Sequence, residues 1–140
     1  MEQRFVFPIL EHGATWVLVR ILATLMFWLP GLRWLFNFGG TVEMMRGMGF
    51  SESAALVAAA TIAVKLIGSG LIIQGRYAWL GAGMLSVFTA LTVFVVHDFW
   101  NKTGAEAFRS SLVAQEHVAV IAGLAAVAIH AHWRRSRFPR

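Results

Sequence analysis

SAALVAAATIAVKLIGSGLIIQGRYAWLGAGMLSVFTALTVFVVH, residues 53–97, is a pair of apolar stretches meeting at Gln74-Gly75-Arg76. Each stretch is close to the roughly 20 residues that a helix rising about 1.5 Å per residue needs to cross about 30 Å of hydrocarbon. Neither alternates polar with apolar, and each is about twice as long as a spanning strand, so a closed barrel is not implied. Apolar side chains run round the whole circumference, which a helix in a small aqueous core cannot bury. Lipid is therefore the expected solvent. The short QGR corner around Gly75 makes the two stretches a tight antiparallel hairpin.

Outside this hairpin the chain supplies two further lengths of the same kind, giving spans near 14–35, 53–74, 77–97 and 112–133. The connecting pieces, NFGGTVEMMRGMGFSES and DFWNKTGAEAFRSS, carry the Gly, Ser, Asn and Asp of loops. Composition agrees, with 58% of the 140 residues hydrophobic and only 14% charged, which is a membrane-protein profile. The expected fold is all-α, a four-transmembrane-helix bundle forming one integral-membrane domain over residues 1–140. Val42, Met44, Met45 and Met48 recur at helical spacing around Glu43 and Arg46, which predicts a short interfacial helix in the first outer loop. Pro30 is expected to kink the first span. The apolar run after Arg20 lacks a small-x-small cleavage site and reads as a retained span rather than a signal peptide.

An even number of spans puts both termini on one side, and the basic tail 134–140, with Arg134, Arg135, Arg137 and Arg140, marks that side as cytoplasmic. Arg4 and Arg76 fall there too, so the predicted topology is N-in, C-in. Trp16, Tyr77, Trp79 and Trp133 would lie at the cytoplasmic headgroup level, and Trp34, Phe36, Phe38, Phe99 and Trp100 at the outer one. Trp28 fits neither belt and is read as a packing residue. Ala55, Ala59 and Ala63 on the second span, and Ala119 and Gly123 on the fourth, are spaced to allow close helix approach.

Lys65 interrupts this pattern. It lies about 12 residues from Ser53, or roughly 18 Å into the second span, too deep to snorkel easily to water. An unpaired charge at that depth costs about 2.5–3.5 kcal/mol even on the lenient insertion scale, so a partner or a hydrated cavity is expected. Glu116 is the only acid inside another span, about 7 Å deep by the same rise, leaving two extended side chains about 10 Å to close. The prediction is an intramembrane Lys65–Glu116 ion pair. The alternatives are a lysine held by carbonyls and water, and a lysine facing lipid.

RILATLMFWLPGLRWLFNFGGTVEMMRGMGF, AVKLIGSGLIIQGRYAWLGAGMLSVFTALTVFVVHDFWN and the closing EHVAVIAGL together resemble DoxX-like four-helix bacterial inner-membrane proteins. The third-helix ending HDFWN, residues 97–101, carries most of the likeness. Arg20, the Gly-Met-Gly turn and the Gly75-x-Tyr77 corner support it. The family usually has glutamate at the position of Lys65 and lysine at that of Glu116, so the resemblance implies a charge-reversed pair here. It also implies an inner-membrane, multi-pass protein working beside a quinone-linked oxidoreductase.

A second polar group, His97, Asp98, Trp100, Asn101 and His117, gathers near the outer ends of the third and fourth spans. Histidine beside carboxylates could ligate a metal, relay protons or hydrogen-bond a quinone carbonyl. The same residues could equally cap helix ends and meet headgroups, with Trp100 as a belt anchor. No metal set is singled out. His130 and His132 point about 200° apart on a helix and cannot chelate one ion together. Arg20 is a secondary candidate, able to snorkel to the cytoplasmic face or to contact Glu11. Gly68, Ser69 and Gly70 read as close-packing sites, since no strand-turn-helix context for a phosphate loop exists.

The chain has no cysteine, which excludes thiol-disulfide transfer, persulfide carriage, disulfides and iron-sulfur ligation. No pair of histidines at matching depth is placed to hold a haem, and no nucleophile-base-orienter set or nucleotide motif is visible. The arginine tail is a topology signal with affinity for anionic lipid, not a nucleic-acid site. Three functional classes remain: an accessory membrane subunit of a quinone-linked system, with quinone as the one cofactor implied; a structural or assembly anchor for a larger complex; and a small-molecule or lipid transporter. Membrane lipids, a partner protein or further copies of the chain are the expected partners.

Overall fold

The computed structural model describes residues 3–137, with side chains from Val6 onward; Arg4 and Arg140 of the basic flanks lie outside the described side chains. Among the described residues every regular element is helical: α1 Gln3–Glu11, α2 Gly13–Ala23, α3 Leu25–Phe36, α4 Phe38–Gly47, α5 Ala54–Gln74, α6 Ala78–Val95, a 3-10 turn at Phe99–Asn101, and α7 Gly104–Arg137. The helices α5, α6 with its 3-10 extension, and α7 are each long and apolar enough to cross a membrane. A fourth crossing is available if the bent pair α2–α3 forms a single span. α7 begins eight residues earlier than the sequence implies, because the piece GAEAFRSS continues the helix instead of looping.

The first apolar length breaks at Thr24, where α2 and α3 meet at 58°. Pro30, expected to be the kink, sits inside α3. The break is held by local hydrogen bonds. The Thr24 hydroxyl donates to the carbonyls of Arg20 (2.8 Å) and Ile21 (3.3 Å), and the Trp28 indole donates to the Ile21 carbonyl at 3.1 Å. Threonine back-bonding of this kind bends helices, and Trp28 supplies a donor to a carbonyl the bend sets free. Trp28 is thus a packing residue with a specific partner.

The α5–α6 hairpin turns at Gly75, whose φ of +85° lies in the left-handed region that favours glycine. Its amide donates to the Leu71 carbonyl at 3.1 Å, closing the end of α5. The two helices cross closely at Gly68 and Gly81, where a Cβ on Gly81 would overlap the Gly68 carbonyl oxygen. Gly68 is the close-packing site of its trio, whereas Gly70 faces open space. Ala55, Ala59, Ala63, Ala119 and Gly123 are exposed. The tight contacts fall instead one step round α5, at Ala54 and Ala58, which pack with Val42 and Met45 of α4.

Helix α7 lies along α6, α6 along α5, and α3 along the other side of α5. α2 touches both α5 and α7 and so draws the ends of this row together. Phe27, Ile72, Ala82, Leu85, Leu124 and Val127 form the core between them. The helix expected in the first loop is present as α4, docked on the start of α5 and carrying an exposed Arg46–Glu43 ion pair. α1 precedes the first span with Val6, Phe7, Ile9 and Leu10 exposed, an element the apolar-length reading did not anticipate.

Candidate functional site

The inward face of α5 is Ala54, Ala58, Ile62, Lys65, Ser69 and Ile72, a series stepping by three or four residues. Lys65 therefore points into the bundle and is only 8% exposed. On α3 the residues Phe27, Gly31 and Trp34 share one face by the same spacing. Gly31 is buried against α5, where an added Cβ would press on Leu66 and Lys65. The close approach at Gly31 brings Trp34, one turn further on, over the lysine. The Lys65 Nζ lies 3.7 Å from the Trp34 ring centroid and 5.5 Å from that of Phe88 on α6. Two aromatic faces thus receive the ammonium, an attraction of about 2 kcal/mol when desolvated.

Lys65 and Glu116 are not brought together. Among the described residues Lys65 has no ion-pair or hydrogen-bond partner, and Glu116 is exposed on α7 without a cation beside it. The cause is helical phase. α7 turns Ser110, Ala114, Leu124, Val127 and Ala131 inward, and Glu116, two residues past Ala114, is rotated about 200° away. Trp34, expected as an outer belt residue, is turned in towards Lys65.

Lys65 lines a cavity of about 390 Å³ between α3, α5, α6 and the end of α4. Its walls include Phe27, Trp34, Met45 and Phe88, with Thr61, Thr89 and Thr92 among the few polar groups. The Thr89 and Thr92 hydroxyls are engaged with helix carbonyls of Leu85 and Thr89, both at 2.7 Å, whereas Lys65, the cation of this wall, has no acceptor among the described residues. His97 and His117 also line the cavity and meet edge to face with centroids 5.2 Å apart. His117 Nδ1 lies 2.8 Å from the Val113 carbonyl. A carbonyl only accepts, so Nδ1 carries the proton and Nε2 of the neutral ring is left as an acceptor.

The other members of the polar group separate from the histidines. Asp98 accepts from the Asn101 amide at 3.2 Å and pairs with Lys102 at 3.5 Å. Lys102 also reaches Glu106 at 3.6 Å, and donates to the Val96 carbonyl and the Ser110 hydroxyl at 3.2 Å each. This lysine ties the 3-10 turn to α7 and thereby fixes the corner that carries His97; the sequence reading gave it no role. Trp100 meets Phe94 at a tilt and Phe99 edge to face, and is half exposed. Asp98, Asn101 and Trp100 thus build the corner, and His97 and His117 face the cavity. Among the described residues no three of the His, Asp and Glu side chains gather as a metal set would require.

A family model described as DoxX matches residues 15–98, more than half of the chain. The protein belongs to the DoxX family. The matched segment runs from the start of α2 through Asp98, so it contains Trp34, Lys65 and His97, while α7 with Glu116 and His117 follows it. The DoxX assignment and three long apolar helices together make this a membrane protein. No curated protein and no solved structure matches the chain.

Arg20, the secondary candidate, is 7% exposed and lies near the opposite end of the bundle from His97. It forms no hydrogen bond or ion pair with Glu11 among the described residues. Its Nε donates to the Trp16 carbonyl and its Nη1 to the Ile72 carbonyl, both at 3.4 Å. His130 packs on the Trp16 ring, centroids 4.2 Å apart.

Proposed function

We propose that this DoxX-family chain is an accessory membrane subunit of a quinone-linked oxidoreductase system, and that it seats the ring of a quinone in the Lys65 cavity. The carrying observation is a buried ammonium that rests on aromatic rings, has no acceptor among the described residues, and opens on an apolar space of ligand size. Binding cavities of about 300–1,000 Å³ with apolar walls and few convergent polar groups are the usual form of small-molecule sites. Lys65 offers hydrogen bonds to a ring carbonyl, and Trp34 and Phe88 offer flat apolar faces to the ring. The His117 Nε2 can accept from a ring hydroxyl, so the wall suits both the carbonyl and the hydroxyl form of the same ring.

The chain's own residues bind, orient and exclude water; with no thiol in the sequence, electron exchange with the bound ring falls to a partner protein. The setting proposed is a bacterial inner membrane, with the α2–α3 pair as the first of four spans in a single domain and both termini cytoplasmic.

Titration of decylubiquinone into the purified protein in mild detergent tests the binding, read by tryptophan fluorescence. Saturable quenching is expected, with one component missing in Trp34→Phe and affinity at least about tenfold lower in Lys65→Met, the equivalent of about 1.4 kcal/mol. Quenching that never saturates and is identical in all three proteins would contradict the reading. A stoichiometric co-purifying partner with no saturable quenching would favour the assembly-anchor class instead.

A further inference from the structure

At the end of the bundle where α2 begins and α7 ends, an open cleft of about 870 Å³ lies between α2, the α5–α6 corner and the last turns of α7. Arg20, Arg76, Arg134 and Arg135 all line it, and among the described residues no acidic side chain does. The innermost of the four is built in. Arg20 is held by the Trp16 and Ile72 carbonyls, and its guanidinium packs on the Gly75 corner so closely that a Cβ there would overlap Nη1. A guanidinium carries five N–H donors, and those two bonds leave three without a protein acceptor among the described residues. Arg134 lines the same cleft as Arg20, so two like charges share one space. Arg135 is fastened across the same corner by donating to the Arg76 carbonyl.

Like charges converging on a pre-positioned, unpaired guanidinium are unfavourable unless an anion sits among them. Arginine is the side chain suited to forked recognition of phosphate oxygens. The flanking aromatics support placement at the headgroup level: Trp16 lines the cleft, and Tyr77 and Trp133 follow its lining residues Arg76 and Ala131 within two positions. Basic pockets between spanning helices at this level hold phosphorylated headgroups. We infer that this arginine cleft is a second binding site, separate from the Lys65 cavity, which takes a phosphate group, supplied either by an anionic phospholipid headgroup or by soluble phosphate. Gly75 has a double role here, allowing the turn and leaving room for the guanidinium that reaches the ligand.

The test uses the full chain in mild detergent, offered dioleoylphosphatidylglycerol or dioleoylphosphatidylcholine, with retained lipid counted by native mass spectrometry and inorganic phosphate added as competitor. Retention of phosphatidylglycerol over phosphatidylcholine is expected, falling about ten- to thirtyfold in the pair Arg134→Gln/Arg135→Gln, whose first member is half-buried and second exposed. Arg20→Gln should lower it further where that variant folds. The charge-matched pair Arg46→Gln/Arg109→Gln, at the far end, should leave it unchanged. Retention that inorganic phosphate does not disturb identifies the lipid as the source. Displacement by low inorganic phosphate, with the same loss in the Arg134/Arg135 pair, identifies soluble phosphate and keeps the site. The inference is overturned if phosphatidylglycerol is held no better than phosphatidylcholine and phosphate has no effect. It is equally overturned if the Arg134/Arg135 pair retains the wild-type level, or if the far-end pair loses as much.

Discussion

The two buried cations of this bundle are accommodated in opposite ways. Arg20 sits under a tight corner with its guanidinium against two backbone carbonyls and a glycine, and it projects its spare donors into an open cleft crowded with other arginines. Lys65 lies deep in the bundle with no acceptor among the described residues, resting on the faces of Trp34 and Phe88 beside an apolar cavity. Guanidinium is planar and weakly hydrated, so it fits a carbonyl-lined notch at a helix end; ammonium is compact and is drawn to a ring face. The contrast teaches that a charge inside a membrane bundle need not be neutralised by an opposite charge within the protein. It can be kept available for a ligand, and the surroundings then select the ligand's chemistry.

The largest effect should come from closing the notch. Gly75→Ala forces a left-handed conformation on a residue with a Cβ and evicts the Arg20 guanidinium, so thermal unfolding in detergent should show a loss of about 2–3 kcal/mol. No change would mean that Arg20 is not held by the corner. At the other end the sign reverses. Lys65→Met removes a charge whose burial costs about 2.5–3.5 kcal/mol against a ring attraction of about 2 kcal/mol, so the ligand-free protein should gain about 1 kcal/mol. A clear loss would reveal an anion partnering the lysine.

Lys102→Met sharpens the comparison by loosening the corner below His97. Its ion pairs are partly exposed, so a loss of about 1 kcal/mol is expected, shrinking at high salt. The smallest effect concerns the acid on α7. In a cycle of Lys65→Met, Glu116→Gln and the double variant, the coupling should stay under about 0.5 kcal/mol. Coupling above about 1 kcal/mol would restore the ion pair.

The places of the long apolar helices were legible in the sequence, while azimuth was not. The apolar lengths and the Gly75 corner follow from helix rise and hydrocarbon thickness, and the structure places helices on those stretches. In lipid, however, leucine is equally at ease facing in or out, so a helix apolar all round does not declare its inner face. That is why Glu116 was paired with Lys65 by depth alone, although it lies on the outer side of α7. A usable azimuth signal did exist on α3, where Phe27, Gly31 and Trp34 mark one face with a small residue at its centre. The break at Thr24 was hidden because Pro30 is the louder residue, whereas the hydroxyl back-bond and the Trp28 indole act through hydrogen bonds that no composition window registers. The arginine cleft joins residues 20, 76, 134 and 135, and only the packing of α2 against α5 and α7 shows that they share one space.

The quinone content of protein purified in mild detergent from native membranes, compared between Lys65→Met and Glu116→Gln, tests the central claim most directly. If the uncompensated ammonium is the ligand's anchor, quinone co-purifies with the wild type and with Glu116→Gln and is lost from Lys65→Met. Quinone kept by Lys65→Met, or lost from Glu116→Gln, would contradict it.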